Sequence, residues 1–478
     1  MAFNDHRDFF EVLEKNGELA RITREVDWDL EAGAIGRRTY ETGGPCLLFE
    51  TIKDYPKGFR ISNGTTGTWS RVALALGLPK DTPVREIYRA YEQGLEKKIP
   101  PRIVGKKDAP CKQNIMIGED VDLYKFPSPM IHEGDGGRYI GTWDLVVCKD
   151  PETGWTNWGM YRFMVHTKDW LTGWPQTTSQ LAMILRQRYL PKNKPMPVAV
   201  VIGADPISHI MATAGFMPQE NEAEYAGGMR GKPVDLVSCE TSELLVPAHA
   251  EIVIEGEIMP DKIAPDGPFG EYPGYRSGTM CEGVAMKVKA ITYKSDPILT
   301  MIALGTPPDD SSIAASLSAA IAMKRGLLRR GIPVTDVYVP PEGVTHLIVI
   351  GVKKGGMEIS RKILDYFTTR RVMTNKHIVV DADVDVFNMA EVLHCFATKC
   401  HPGRGIGYEW YEGRSNSLTP FYSPEERKKL KGVSVVFDST WPPEWPSEIV
   451  PTKASFKTIY PKEIQEKVIN NWEKYGLK

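Results

Sequence analysis

No apolar run in this chain is longer than a strand. The longest, such as residues 347–350, fall far short of the roughly 20 residues that a membrane-spanning helix requires. Glycine and proline punctuate the stretches between them, so the chain must build its interior from many short elements joined by turns. At 478 residues a single core does not suffice, and two or three domains are expected. With 42% hydrophobic and 25% charged residues the composition is that of a packed globular protein and excludes disorder.

The charge balance narrows the function classes. Against 61 acidic residues stand 59 basic ones, with a net charge of −2 and no long Lys/Arg run, so no nucleic-acid partner is expected. The short cluster Arg427-Lys428-Lys429 with Lys431 reads as a solvated helix end. Residues 1–7 carry no apolar stretch of signal-peptide length. The seven cysteines are odd in number and scattered, which suits a reducing compartment. A cytoplasmic location without a membrane partner is the expectation.

Three stretches differ in pattern. Residues 5–17 have the period of an amphipathic helix with Asn4 as cap, and 19–26 read as a strand. Pro100-Pro101 and the polar run 105–112 mark a boundary, giving an N-terminal α/β domain over 1–105. The stretch 106–304 is richer in strands (145–148, 198–202, 250–254, 298–302), with helices over 182–189 and 222–229. Beyond Pro307-Pro308 the pattern predicts a helix over 311–330 stopped by Gly331. Strands at 334–339 and 346–352, a helix at 357–367 and a strand at 377–380 follow, an α/β layer within a domain over 305–478. Its tail has five prolines from Pro442 to Pro461 and then a helix over 461–475, the pattern of a segment that wraps a neighbour, so an oligomer is expected. The fold class is α+β.

Three motifs carry candidate chemistry. In Asp266-Gly-Pro-Phe-Gly-Glu271-Tyr-Pro-Gly-Tyr275 the glycines and prolines fix the backbone and set two carboxylates five residues apart. This is either a turn with two solvated acids or a rigid loop presenting acids to a pocket, where burial raises a pKa for proton donation. In Trp155-Thr-Asn157-Trp158-Gly-Met160-Tyr-Arg162-Phe-Met-Val165 an arginine interrupts an apolar, aromatic strand. Its charge requires a structural acid or an anionic ligand, and a guanidinium forks onto a carboxylate. Glu222-Ala-Glu224-Tyr225-Ala-Gly-Gly is either an ordinary helix start or a source of ligands. The run His394-Cys395…Cys400-His401 lacks the usual structural zinc spacing, and Asp381, Asp383 and Asp385 lack the EF-hand's glycine and glutamate.

Taken together these motifs resemble the UbiD-like decarboxylases. Cys239-Glu-Thr, Val246-Pro-Ala248, the opening Arg7–Ile22 run and Asp381-Ala-Asp-Val-Asp385 extend the resemblance over nearly the whole chain. It implies a central split β-barrel that binds flavin, and a C-terminal α/β oligomerisation domain with a tail helix. The implied activity is the reversible, non-oxidative decarboxylation or carboxylation of an aromatic or α,β-unsaturated acid with prenylated FMN. Loss of CO2 from an sp2 carbon needs an electron sink that no side chain supplies. The resemblance makes Arg162, Asp266 and Glu271 the catalytic network, with Glu271 the proton donor. Asn157 and Glu222 become ligands of a divalent metal, Mn2+ or Mg2+, at the cofactor phosphate, an oxygen-rich setting that suits a hard cation. Trp158 offers its backbone to a K+ site, and Met160, Arg162 and Gln176 are cofactor contacts. A flavin prenyltransferase is implied as supplier, and a homodimer or higher oligomer, homomeric or heteromeric, as the assembly.

The sequence departs from the family pattern at three places. Asp266 stands where the family usually has glutamate. Residues 167–188 contain no histidine for the third metal position, leaving Gln180, Thr177, Thr178 or Ser179 as stand-ins. Ser434 replaces a lysine near the cofactor phosphate, with Lys429 or Lys431 as compensation. These departures motivate an alternative, an accessory subunit of a carboxylase complex that keeps the fold without the chemistry.

Overall fold

The computed structural model describes residues 3–277, 280–370, 374–413 and 418–477. Its centre is a nine-stranded sheet whose pairings are all antiparallel. From one end the order is Tyr139–Gly141, Phe163–Thr167, Trp170–Gly173, Cys281–Tyr293, Ile252–Asp266, Met196–Ile202, Asp144–Lys149 and Thr156–Gly159. Asn114–Ile117 adds to Cys281–Tyr293 off this path. The sheet curls into a half-barrel, and the fold is the mixed α/β class expected. Among the described residues no helix is long and apolar enough to cross a membrane.

Two strands differ from their sequence reading, and both bear on the site. The strand expected to end at 254 runs from Ile252 to Asp266 through Pro260 and Pro265. Register shifts between Ile258 and Ile263 accommodate Pro260, because a bulge tolerates a residue that cannot donate to the ladder. Its partner Cys281–Tyr293, which the pattern did not reveal, pairs Cys281 with Asp266. This long ladder carries Asp266 to the catalytic wall.

A smaller sheet at the N-terminal side joins Leu19–Ile22, Cys46–Phe49, Arg60–Asn63 and Ile298–Met301. The last strand, far along the chain, lies parallel to Arg60–Asn63 and pairs Ile298 with Arg60. The first helix spans His6–Lys15. Its cap is Asp5 rather than Asn4: the Asp5 carboxylate accepts from the Arg7 and Asp8 amides, while Asn4 bonds to Asp8. Beyond the barrel, a five-stranded sheet runs in the order Val334–Tyr338, Leu347–Val352, Lys376–Asp381, Gly432–Ser439, Ile406–Tyr411, with its three inner strands parallel. The Asp310–Leu328 helix, held at its start by a reciprocal Asp309–Ser312 capping box, packs against this sheet. The tail helix, Lys462–Asn470, buries none of its residues.

Candidate active site

A strand connection, a strand end and the loop after it supply the three charged groups. Arg162 lies between the Thr156–Gly159 and Phe163–Thr167 strands, and Asp266 ends the long Ile252–Asp266 strand. Arg162 Nε donates to Asp266 Oδ2 at 2.9 Å, and its Nη2 donates to the same oxygen. Its Nη1 pairs with Glu271 Oε1. The side chains of Arg162, Asp266 and Glu271 are 10%, 0% and 8% exposed. The arginine stands in the connection between two strands rather than within one, and its largely buried charge has the acid partners it requires.

A second layer that the motifs did not reveal fixes the 266–271 loop. The Tyr139 hydroxyl accepts from the Gly267 amide at 3.1 Å and donates to Asp266 Oδ1 at 3.4 Å. Asp135 accepts from the Gly270 amide through one oxygen, while its other meets His132 Nδ1. His132 Nε2 in turn meets the Leu304 carbonyl. Gly136 donates to the Pro268 carbonyl, and a Cβ at Gly136 would stand 1.9 Å from the Gly267 carbonyl oxygen, so only glycine permits the approach. The Gly- and Asp-containing run 134–137 is the local signal for this turn, but its contact with residues 130 positions away is not encoded locally.

Arg162 and Glu271 face a cavity of about 670 Å3, within the range of small-molecule sites. Trp158, Met160, Gln176 and Tyr272 also line it. Trp174 lines it too, with its ring 5.3 Å from the Arg162 guanidinium carbon. Not every aromatic near the motifs belongs to this wall. Trp155 is buried in a separate core and donates to the Glu220 carbonyl, Trp170 lies beneath Lys262 and Lys287, and Tyr275 is largely exposed.

Behind Trp158 lies a polar pocket. Glu222 Oε2 accepts from the Trp158 amide at 3.0 Å. Its Oε1 and both side-chain polar atoms of Asn157 are buried and meet no partner among the described residues. Burial pushes the Glu222 carboxyl up to about 8. Unpartnered buried oxygens of this kind fit a hard cation. Among the described residues no group of three or more His, Cys, Asp and Glu side chains gathers. A third side-chain donor, if one is used, is an amide or hydroxyl. Gln180 begins the Gln180–Ile184 helix, lines the cavity and donates its amide to the Phe216 carbonyl at 2.8 Å, which leaves its oxygen available. Ser179 instead caps that helix by accepting from Ala182. Lys429 and Lys431 do not reach the cavity. They line a separate cleft beside Trp410, with Lys429 paired to Glu425.

Three family models match the chain. The N-terminal domain of 3-octaprenyl-4-hydroxybenzoate carboxy-lyase matches residues 10–91, its Rift-related domain 102–307 and its C-terminal domain 314–438. The chain is 31% identical to the pyrrole-2-carboxylic acid decarboxylase of Pseudomonas aeruginosa, over 99% of this chain and 98% of that one. The closed form of Sedimentibacter hydroxybenzoicus vanillic acid decarboxylase superposes with a TM-score of 0.88 at 29% identity, covering 99% and 100% of the two chains. The UbiD-class enzyme HmfF of Pelotomaculum thermopropionicum, in complex with FMN, gives 0.82 at 27% identity, over 94% and 97%. This chain belongs to the UbiD family and is an enzyme of the carboxy-lyase class.

Proposed function

We propose that the protein removes CO2 from, or adds it to, an aromatic or α,β-unsaturated carboxylic acid, with prenylated FMN as cofactor. The observation that carries this reading is Arg162 held between two buried acids at the wall of a ligand-sized cavity. An accessory subunit that had lost the chemistry would have no use for such a cluster. The named relatives act on aromatic acids and one neighbour holds FMN, which supports the same class of substrate and cofactor here.

The roles follow from what each side chain touches. When bound, the prenylated flavin supplies the electron sink for the carbon that loses CO2. Arg162, at the cavity wall, attracts and orients the substrate carboxylate. Asp266, committed through Oδ2 to Arg162 and through Oδ1 to Tyr139, keeps the guanidinium aligned. Glu271 transfers the proton at the substrate carbon; the 134–139 brace sets its position. Trp158, Trp174 and Tyr272 exclude water from the ring of the substrate. The oxygens of Asn157, Glu222 and Gln180 would hold a divalent cation, Mn2+ or Mg2+, that would neutralise the charge of the cofactor phosphate, and the Trp158 backbone would serve a K+. Met160 and Gln176, which line the cavity, would contact the cofactor.

A flavin prenyltransferase is the cofactor's source, and the working form is a homodimer or a multiple of it. The tail supports the assembly: Ile459, Ile469 and Trp472 are exposed along it, an apolar face that a second copy would cover. The test is to produce the protein together with a flavin prenyltransferase and identify the released cofactor by mass spectrometry. Prenylated FMN with CO2 release from an aromatic or enoic acid is expected. Protein that stays colourless and inert despite the supplied cofactor would defeat the reading. A monomer by light scattering at micromolar concentration would defeat the assembly.

A further inference from the structure

A second cavity, of about 410 Å3, adjoins the catalytic one. Residues 213–216, Ala315 and Thr345 contribute to the walls of both, so the partition is one residue thick. One face of the Asp310–Leu328 helix runs along it from the shared partition at Ala315. Ala315, Ala319, Ala322 and Gly326 follow one another there at helical spacing, and their small side chains leave the chamber open. At Gly326 a Cβ would stand 1.9 Å from the Tyr366 hydroxyl oxygen, so the tyrosine side chain occupies the space that glycine leaves.

The chamber also holds an unmet donor. Tyr91, on the Val84–Gly94 helix, lines it and is fully buried, and its hydroxyl meets no hydrogen-bond partner among the described residues. Buried polar groups of native proteins are almost always paired, so such a group asks for a ligand or a water. Arg325, whose Nη2 donates to the Glu92 carbonyl at 3.2 Å, lines the same chamber. The one acid in the wall, Glu220, is already committed to the Tyr225 hydroxyl and the Met217 amide. The chamber is thus mainly apolar along the alanine face, and the Tyr91 hydroxyl is the buried polar point it offers to an occupant.

We infer that the two cavities form one elongated substrate site. The preferred substrate is an extended acid, whose carboxyl reacts at Arg162 and Glu271. Its apolar body lies along the alanine face, and a distal oxygen acceptor, such as an ether or carbonyl, meets Tyr91. The inference rests on the decarboxylase reading of the catalytic cavity, and it assigns Ala319 and Tyr91 as determinants of specificity.

Isothermal titration of the holoenzyme with cinnamic acid and with 4-(3-methoxypropoxy)cinnamic acid measures the chamber apart from turnover. The extended acid is expected to bind at least about tenfold tighter, the scale of discrimination that a filled pocket gives. Ala319→Phe should collapse the ratio of the two Kd values towards one. Ala322→Leu, a milder filling, should reduce it, which keeps the test sound if the phenylalanine variant unfolds. Tyr91→Phe should weaken the ether-bearing acid but not its all-carbon analogue. Equal binding of both acids by the wild-type protein, or a ratio unmoved by both filling variants, would overturn the inference. CO2 release separates it from the reading beneath. Turnover of cinnamic acid with no gain from extension defeats the chamber alone. Tight binding of the extended acid without turnover of either defeats the decarboxylase reading while the chamber stands.

Discussion

Lengthening Asp266 by one methylene tests whether the site is fitted to its own acid. The side chain is enclosed on every side the structure describes. Oδ2 takes two donors from Arg162, Oδ1 takes the Tyr139 hydroxyl, and Cys281 Sγ lies 3.8 Å from Oδ2. A Cβ built on Gly283 would stand only 3.0 Å from the Asp266 Cβ, so the neighbouring strand leaves no slack there. In Asp266→Glu the extra carbon has to drive the carboxylate into Arg162 or push the Gly283 strand outward. Overpacking of this kind costs about 1–3 kcal/mol. Taken from the alignment of Arg162 and Glu271 at the transition state, that is a loss of roughly fivefold to 150-fold in kcat. Asp266→Asn is the contrast, because it keeps the size and removes the charge. Breaking a buried pair costs about 3–5 kcal/mol, and the low end applies because Glu271 still neutralises Arg162. The assay is kcat on the cofactor-loaded enzyme, with the midpoint of thermal unfolding measured in parallel. If Asp266→Glu matched or exceeded the wild-type kcat at unchanged thermal stability, the site would not be shaped around the shorter acid.

Glu271→Gln keeps shape and hydrogen bonding but removes the transferable proton, so turnover should fall by about 10²-fold or more with melting unchanged; full activity would rule out its role in proton transfer. His209 and His377 are fully buried, and burial pulls them down to about 3 and about 4. Because these folded-state values lie below the unfolded one near 6.5, their stability contribution is complete above that pH. It is lost as the pH falls, by about 1.4 kcal/mol per unit for each histidine. Because the raised carboxyls of Glu222 and Asp144 act in the opposite sense over the same range, the test is the slope of melting temperature between pH 7 and 5 in His209→Gln and His377→Gln, which should lose less stability on acidification than the wild type; an unchanged slope in both would contradict the burial argument. Asp144 is the opposite case, since burial pushes its carboxyl well above the usual range and ionisation opposes folding as pH rises past about 4. Asp144→Asn should accordingly melt higher than wild type at pH 7.5 and lose that advantage near pH 4; an equal or lower melting point at pH 7.5 would refute it.

What the sequence revealed of the site depended on local cost. A guanidinium in an aromatic strand has to be paired, so Arg162 announced a partner, and the Gly-Pro-Phe-Gly frame announced where rigid acids would stand. Tyr139, Asp135 and His132 were not legible, because their work is to hold a loop about 130 residues away and their own stretch reads as an ordinary glycine turn. The fold shows the same division. Helices with strong caps and periods emerged near their observed limits, as at Asp310–Leu328. The Ile252–Asp266 strand was cut short because proline reads as a breaker, and only the register shift opposite Cys281–Tyr293 absorbs it. The 185–189 stretch, read as α-helix, is a π-helical turn following the Gln180–Ile184 helix, a difference of hydrogen-bond register that periodicity cannot resolve.

The parallel pairing of Ile298–Met301 with Arg60–Asn63 has a consequence for how the molecule is made. Arg60 Nη2 donates to the Asp296 carbonyl, 236 residues further along the chain. At ribosomal rates of about 5–20 residues per second, the N-terminal sheet waits tens of seconds for its last strand. During that interval Arg60–Asn63 is a bare edge, with backbone donors and acceptors open to any extended segment nearby. A chain that stops short of Met301 never closes that edge. Truncations intended to isolate the first hundred residues should yield a protein that self-associates, and extending them to include 298–301 should relieve it.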